Sequence, residues 1–326
     1  MTRRAVQRLA GPAALLAFST ALAGDSLDWL ERMNAAVDGL NYRGTFVHLT
    51  GTESSTIKVV HRASGGPPGE RVRVLDGEAR EIVRTANETQ CILPARRLVI
   101  VDPMGGSSLR DALPVYSGGI EEVYSVARLG RQLVSGRIAT GVRVSPRDGY
   151  RFGYELWLDA ETAMPLKTMT VADGGQRVVE LMHFTEIEFP EQISDEALAP
   201  QWLEDDFSYH RPEKLQAPAS REAAAQWTAT RLPRGFRLSM SSRDVMASGR
   251  VGEHLVYTDG IASVSVFIEQ AADGHHAAEA SFARLGPSSA FSRRVDGHRI
   301  VVVGEVPADT VTLIGRSVRL RESLDR

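Results

Sequence analysis

From Tyr42 to Phe189 the apolar side chains recur at every second position, in short runs separated by turn residues. Successive side chains of an extended chain point to opposite faces, so a period of two marks half-buried strands. The candidate strands are 42–50, 55–62, 70–76, 79–85, 88–93, 97–102, 123–129, 137–145, 150–158, 164–171 and 176–189. Asp76-Gly77, Asp148-Gly149 and Asp173-Gly174 stand between runs and supply the positive φ that tight hairpins require. The expected arrangement is an antiparallel meander. In its clearest run Tyr150, Phe152, Tyr154, Leu156 and Leu158 share one face, and that face must be covered.

So many strands with little helix imply one large curved sheet whose concave face is either plugged by helices or left as a pocket. Phe46, Leu75, Ile82, Leu93, Val99, Phe152, Tyr154, Leu156, Leu158, Met169, Leu181 and Phe184 are the residues that would line it. They read as an acyl-chain pocket or as the ordinary core beneath an N-terminal helix. That helix is expected over 26–40, where Ser26 can cap, Asp28 and Glu31 fall in the first turn, and Leu27, Leu30, Met33, Val37 and Leu40 recur at spacings of three and four.

Ahead of it, Arg3, Arg4 and Arg8 precede an uncharged apolar stretch that ends at Ala21-Leu22-Ala23, so residues 1–23 read as a cleaved secretory signal. No Cys follows that site, so no lipid anchor is expected, and the mature chain is expected to be soluble. The stretch 103–121 reads as a long loop. Periodicity lapses again at 204–222, a linker rich in Pro, Ala and charge, which leaves residues 24–203 and 223–326 as two domains. The second is expected to hold a strand near 236–241, hairpins turned at Asp259-Gly260 and Asp296-Gly297, and a helix after Pro307 with Val311, Ile314 and Val318 on one face.

Chemistry is scarce. None of the eight histidines forms the i,i+4 pair of a zinc protease. Pairing Thr50 with Ser55 in the first hairpin would set His48 opposite Ile57 and His61 opposite Gly44, so these two would not converge. His275-His276 reads as a solvated loop pair, and Cys91, the lone cysteine, as a buried inert thiol. A nucleophile elbow and a phosphate loop are both missing, so no enzyme and no cofactor are expected. The composition, 43% hydrophobic and 24% charged, is that of a globular chain, and a formal charge of −3 offers no footprint for nucleic acid.

Asp28-Trp29-Leu30-Glu31-Arg32-Met33, Leu40-Asn41-Tyr42-Arg43-Gly44-Thr45-Phe46, Leu156-Trp157-Leu158-Asp159, Leu232-Pro233-Arg234-Gly235-Phe236 and above all the run 252–269 resemble the MucB/RseB family of periplasmic regulators. The resemblance implies an α+β protein: an N-terminal half-open antiparallel β-barrel closed by helices, similar to the periplasmic lipoprotein carriers, plus a small α+β C-terminal domain that contributes to partner binding. It also implies that the periplasmic region of a transmembrane anti-sigma factor of the RseA/MucA type is bound and shielded from regulated proteolysis. Lipopolysaccharide or mislocalised lipid would release it. The stretch 91–97 matches no family motif and carries over no lipid contacts. Residues 223–326 hold 13 basic and 11 acidic side chains against 22 and 30 in 24–222. Arg234, Arg237, Arg293, Arg294 and Arg299 are therefore the candidate partner contacts. A periplasmic lipid or lipoprotein carrier is the alternative, though a carrier has no evident need for the second domain. A periplasmic hydrolase is disfavoured by the missing motifs.

Overall fold

The computed structural model describes residues 18–102, 109–113, 116, 118–211, 225–246, 248–271 and 280–321. Helix α1 (Phe18–Gly39) leads into eleven strands: β1 (Tyr42–Thr50), β2 (Glu53–Arg62), β3 (Gly69–Val74), β4 (Arg80–Arg84), β5 (Thr89–Leu93), β6 (Leu98–Asp102), β7 (Tyr124–Val134), β8 (Arg137–Pro146), β9 (Gly153–Asp159), β10 (Pro165–Ala172) and β11 (Arg177–Glu188). After the one-turn helix α2 (Asp195–Leu198), β12 (Ser208–His210) completes a twelve-stranded sheet ordered β12-β6-β5-β4-β3-β2-β1-β11-β10-β9-β8-β7. Its end strands do not pair with each other, so the sheet stays open and is not a closed barrel. The alternation predicted this meander nearly strand for strand.

Three details differ. The first hairpin turns on Gly51 (φ 63°) and Thr52, so Thr50 pairs with Glu53, His48 faces Ser55 and His61 faces Tyr42. The two histidines still diverge, with His48 Nε2 2.8 Å from Glu180 and His61 Nδ1 3.2 Å from Glu70. Secondly, β9 starts at Gly153 rather than Tyr150, because the Arg151 side chain turns inward into a buried ion pair. Thirdly, α1 begins at Phe18, so 18–23 of the expected signal continue the helix; residues 1–17 lie outside the described residues, as do 103–108, most of 114–117 and the His275-His276 pair.

One stripe of α1 is apolar and defines the inner face of the sheet. Trp29, Leu30 and Met33 bury against Tyr124, Val142, Val144, Tyr154, Leu156 and Leu158. Val37 meets Tyr42, Phe46, Met182 and Phe184. Each large side chain so buried stabilises by roughly 1.5–3 kcal/mol. The outer face of β2–β6 is covered by the chain after β11, where Ile193 and Leu198 pack on Val60, and Phe207 on Val83, Ile92, Val99 and Val101. This strap is fastened by polar contacts as well. Buried Arg62 donates to the Ile193 carbonyl and Asp195, and buried Glu81 accepts the backbone N–H groups of Gln201 and Trp202.

The expected linker thus starts on an ordered strap, since Phe207 is buried and β12 pairs in parallel with β6; residues 212–222 lie outside the described residues. Limited proteolysis is expected to cut between Arg211 and Ala225, where Pro, Ala and charge interrupt any apolar period, and to release two stable fragments. Cutting inside β1–β11 while 212–224 stays intact would remove that boundary.

Beyond it lie β13 (Trp227–Ala229), β14 (Arg237–Val245), β15 (Val251–Thr258), β16 (Ser263–Gln270), β17 (Ala280–Leu285), β18 (Ser288–Val295), β19 (His298–Gly304), α3 (Ala308–Ser317) and β20 (Val318–Leu320). Six of these strands form a second sheet, ordered β14-β15-β16-β19-β18-β17, and α3 with the β13-β20 pair covers one face of it. Gly315 lets α3 approach closely: a Cβ there would sit 2.3 Å from the Phe291 ring. Val311 and Ile314 face the core as expected, but Val318 does so from β20, one residue past the helix. The Asp296-Gly297 turn has φ of 48° and 72°, the left-handed pair a two-residue hairpin needs.

Candidate binding surfaces and the domain joint

The two sheets meet around one arginine. Arg151 is fully buried and donates from Nη1 to Asp259 Oδ2 at 2.7 Å, from Nε and Nη2 to Asp148 at 2.9 Å, and from Nη2 to the Arg234 carbonyl at 2.7 Å. Its guanidinium lies 5.4 Å from the Tyr124 ring and 5.3 Å from that of Phe236, one from each domain. Asp259 serves both its own turn and the joint. Oδ1 accepts the N–H groups of Ile261 and Ala262, while Oδ2 takes Arg151 and the Tyr124 hydroxyl at 3.1 Å. Burial, then the charges around it, pushes the Tyr124 phenol far above its ordinary range, so it remains a donor. Gly235, at φ 84°, lies where a Cβ would come within 2.9 Å of Val123, which explains the glycine in Leu232-Pro233-Arg234-Gly235-Phe236. Thr310 of α3 adds a hydrogen bond to the Tyr150 carbonyl at 2.5 Å. Beside the joint, a cleft of about 670 Å3 opens between the ends of β8–β11 and Arg284 with Pro307–Asp309.

A second feature lies on the inner face of β2–β6, at and beyond the C-terminal end of α1, whose Val37 and Asp38 reach only the row at Tyr42 and His61. Residues opposite one another across the strands form rows on this face. Tyr42, His61, Glu70, Arg84 and Thr89 make a polar row, and Gly44, Val59, Val72, Ile82, Cys91 and Ile100 make an apolar one. Leu109 and Leu113 pack near Val59, but Val74, Ile82, Cys91, Leu93 and Ile100 join no buried cluster among the described residues. A cavity of about 270 Å3 lies at the polar row, and a cleft of about 660 Å3, lined by Val74, Cys91 and Leu93, at the opposite end of the same strands. The Cys91 thiol is half-buried, and burial raises its pKa, which disfavours the reactive thiolate.

The predicted pocket residues divide between faces. Phe46, Leu156 and Leu158, with Tyr154 and Phe184, are on the inner face but packed under α1 and its neighbours. Ile82 and Leu93 are on its open part, half-buried. Val99 is sealed on the outer face by Phe207. Met169, Leu181 and Leu75 also point outward, and Leu75 is 45% exposed. Phe152 packs apart, with Ala172 and Val179. Alternation reveals which residues share a face within a strand, but register fixes which strands share it, and sequence left that register open.

The candidate arginines are likewise scattered. Arg294 and Arg299 sit directly opposite each other on the face of the second sheet away from α3, with Arg299 3.7 Å from Glu269. Met240, Val256, His254, Phe267, Val301 and Val303 share that face, with His254 stacked on Phe267 at 4.3 Å. Arg237 is exposed at the other end of the sheet. Arg234 sits at the joint, exposed and 3.4 Å from Glu122. Arg293 points to the covered face and donates to the carbonyls of Gly315 and Val318, tying down the end of α3. The sequence marks Asp259 only as a turn residue and Arg151 only as a strand charge, and neither carries a sign of pairing with the other.

An open sheet with an apolar stretch that no described residue packs over, joined through a buried ion pair to a smaller sheet domain, is the build of a two-domain binding protein. The MucB/RseB N-terminal domain family matches residues 25–202, and the MucB/RseB C-terminal domain family matches 221–319. The chain belongs to the MucB/RseB family. It is 33% identical to the sigma factor AlgU regulatory protein MucB of Pseudomonas aeruginosa over 316 residues, 94% of each chain, and 26% identical to the sigma-E factor regulatory protein RseB of Escherichia coli over 300 residues, 89% of each. Among solved structures it superposes on MucB in complex with MucA(peri) with a TM-score of 0.69 at 28% identity, covering 91% of this chain and 99% of that one. Against a crystal structure of MucB, with 91% and 98% covered, the TM-score is 0.59.

Proposed function

We propose that this chain is a periplasmic negative regulator of an envelope-stress response. It binds the periplasmic region of a transmembrane anti-sigma factor of the RseA/MucA type and shields it from regulated proteolysis. Lipopolysaccharide or another acylated ligand on the inner face of the first sheet relieves that protection. The carrying observation is a family match that runs through both domains, together with a relative solved with its MucA partner. Export follows from the signal-like residues 1–23, and none of the described helices is long and apolar enough to cross a membrane. A binding role, rather than catalysis, fits the regulatory relatives. The second domain is proposed to supply much of the partner contact, with the Arg294–Arg299 end of its open face, Arg237 and the exposed Arg234 at the joint as the accessible charges.

The apolar stretch around Ile82, Cys91 and Leu93, over which none of the described residues packs, would also suit a lipid or lipoprotein carrier. Capture from solubilised envelopes separates the two. The regulator reading expects an inner-membrane anti-sigma factor on the immobilised chain; recovery of outer-membrane lipoproteins instead would support the carrier.

A further inference from the structure

The two domains touch a second time, away from Arg151. Strands β17 and β18 are joined by the two-residue turn Gly286-Pro287, and a Cβ on Gly286 (φ 56°) would overlap the Thr50 methyl at the end of β1. Only a glycine fits where turn and hairpin meet. Every residue of β17 is exposed, so this second-domain hairpin stands out from its own sheet and rests its tip on the first domain. Thr50 belongs to an inner-face row, with Glu180 beside it on β11, Thr170 on β10 and Tyr154 on β9. His48 lies two residues back on the same face. A carboxylate only accepts, so His48 donates from Nε2 to Glu180 Oε1 at 2.8 Å, and the same nitrogen lies 3.4 Å from the Thr50 hydroxyl. The Thr170 hydroxyl donates to the other Glu180 oxygen at 3.3 Å.

The second domain brings a further acid to this contact. Glu305, directly after β19, keeps some access to solvent, yet its carboxyl is pushed above the ordinary value by the protein around it first and by the Glu180 charge second, and is pulled back by His48. The Tyr154 phenol is raised by its own burial, then by Asp259 and the same two acids, and stays neutral. The side chains opposite His48 on the neighbouring strands, Ser55 of β2 and Met182 of β11, carry no charge. Arg284, beside the turn, donates to the Gly286 carbonyl at 3.2 Å. Two acids thus approach across the contact, and a histidine, the side chain that ordinarily changes charge between about pH 5 and 8, is paired with one of them. With the imidazole neutral, Glu180 and Glu305 repel. A proton on the imidazole offsets Glu180, and Glu305 takes up its own proton at a higher pH than a free carboxyl. A raised folded-state value means stabilisation that is present at low pH and lost as pH rises through it, so the contact tightens in acid and loosens towards alkaline pH.

We propose that the Gly286 turn and the His48–Glu180 pair form a proton-sensitive latch between the two domains, closed in mildly acid medium and loosened as pH rises. The latch is a property of the chain alone, and its test needs no partner. Amide NMR of the intact protein between about pH 5 and 8, the range in which histidine titrates, follows Gly51, next to Thr50, and Gly286, on the other domain. Both resonances should move with one shared midpoint, because one protonation governs a contact to which both belong. His48→Gln keeps a donor for Glu180 but removes the titrating ring, so the Gly286 shift should be lost. Glu305→Gln copies the protonated acid and should hold Gly286 near its acid-limit position throughout. Both side chains reach solvent, so neither substitution opens a core. A Gly286 resonance that stays still in the wild type, or that moves in either variant as it does in the wild type, overturns the latch.

Discussion

Replacing Arg151 by methionine is expected to destabilise the protein by about 3–5 kcal/mol, because it strands the Asp259 carboxylate without its cation in the interior of the domain joint. The lost partners are specific: two hydrogen bonds to Asp148, one to Asp259, one to the Arg234 carbonyl and the packing between Tyr124 and Phe236. Adding Asp259→Asn should recover part of the loss, since asparagine is uncharged and its carbonyl can still accept the N–H groups of Ile261 and Ala262. Urea denaturation of the two variants beside wild type reads this out. A single variant within about 1 kcal/mol of wild type would show that the pair contributes nothing net, as some buried ion pairs do.

The other large effect concerns the partner. Removing residues 223–326 should lower affinity for the periplasmic segment of the anti-sigma factor at least about a hundredfold, on the order of 3 kcal/mol. The remainder keeps its own core, since the clusters under α1 and behind β2–β6 are built almost wholly from residues before 212. Circular dichroism would verify that fold, and surface plasmon resonance would compare affinities. Equal binding by the truncated chain would move the contact surface to the first domain.

Much of this architecture was legible because strand period and turn chemistry are local. Asp173-Gly174 and Asp296-Gly297 each turn the chain with two positive φ angles, and the strands on either side follow. What local pattern could not supply was the company each face keeps. Val99 and Ile82 look alike in an alternating run, yet Phe207 seals the first and nothing in the described core packs on the second. The strap that makes this difference returns from more than a hundred residues away, carrying Gln201 and Trp202 to buried Glu81. Arg151 was hidden for the same reason, since its partner Asp259 lies 108 residues downstream in a turn that already had a local explanation. Tyr42 and His61 were visible only as a strand residue and a lone histidine; their stacking needed the two-residue turn at Gly51 that sets the register.

Protection of an anti-sigma factor is measured most directly by the rate at which the envelope protease that makes the first regulatory cut cleaves the purified periplasmic segment of that factor with and without the full chain. Saturating protein is expected to slow cleavage at least about tenfold, as sequestration of the substrate in a tight complex requires, and an acylated ligand to restore the rate as it occupies the inner face. Cleavage at the same rate with and without the protein, at concentrations where binding of the segment is saturated, would contradict it.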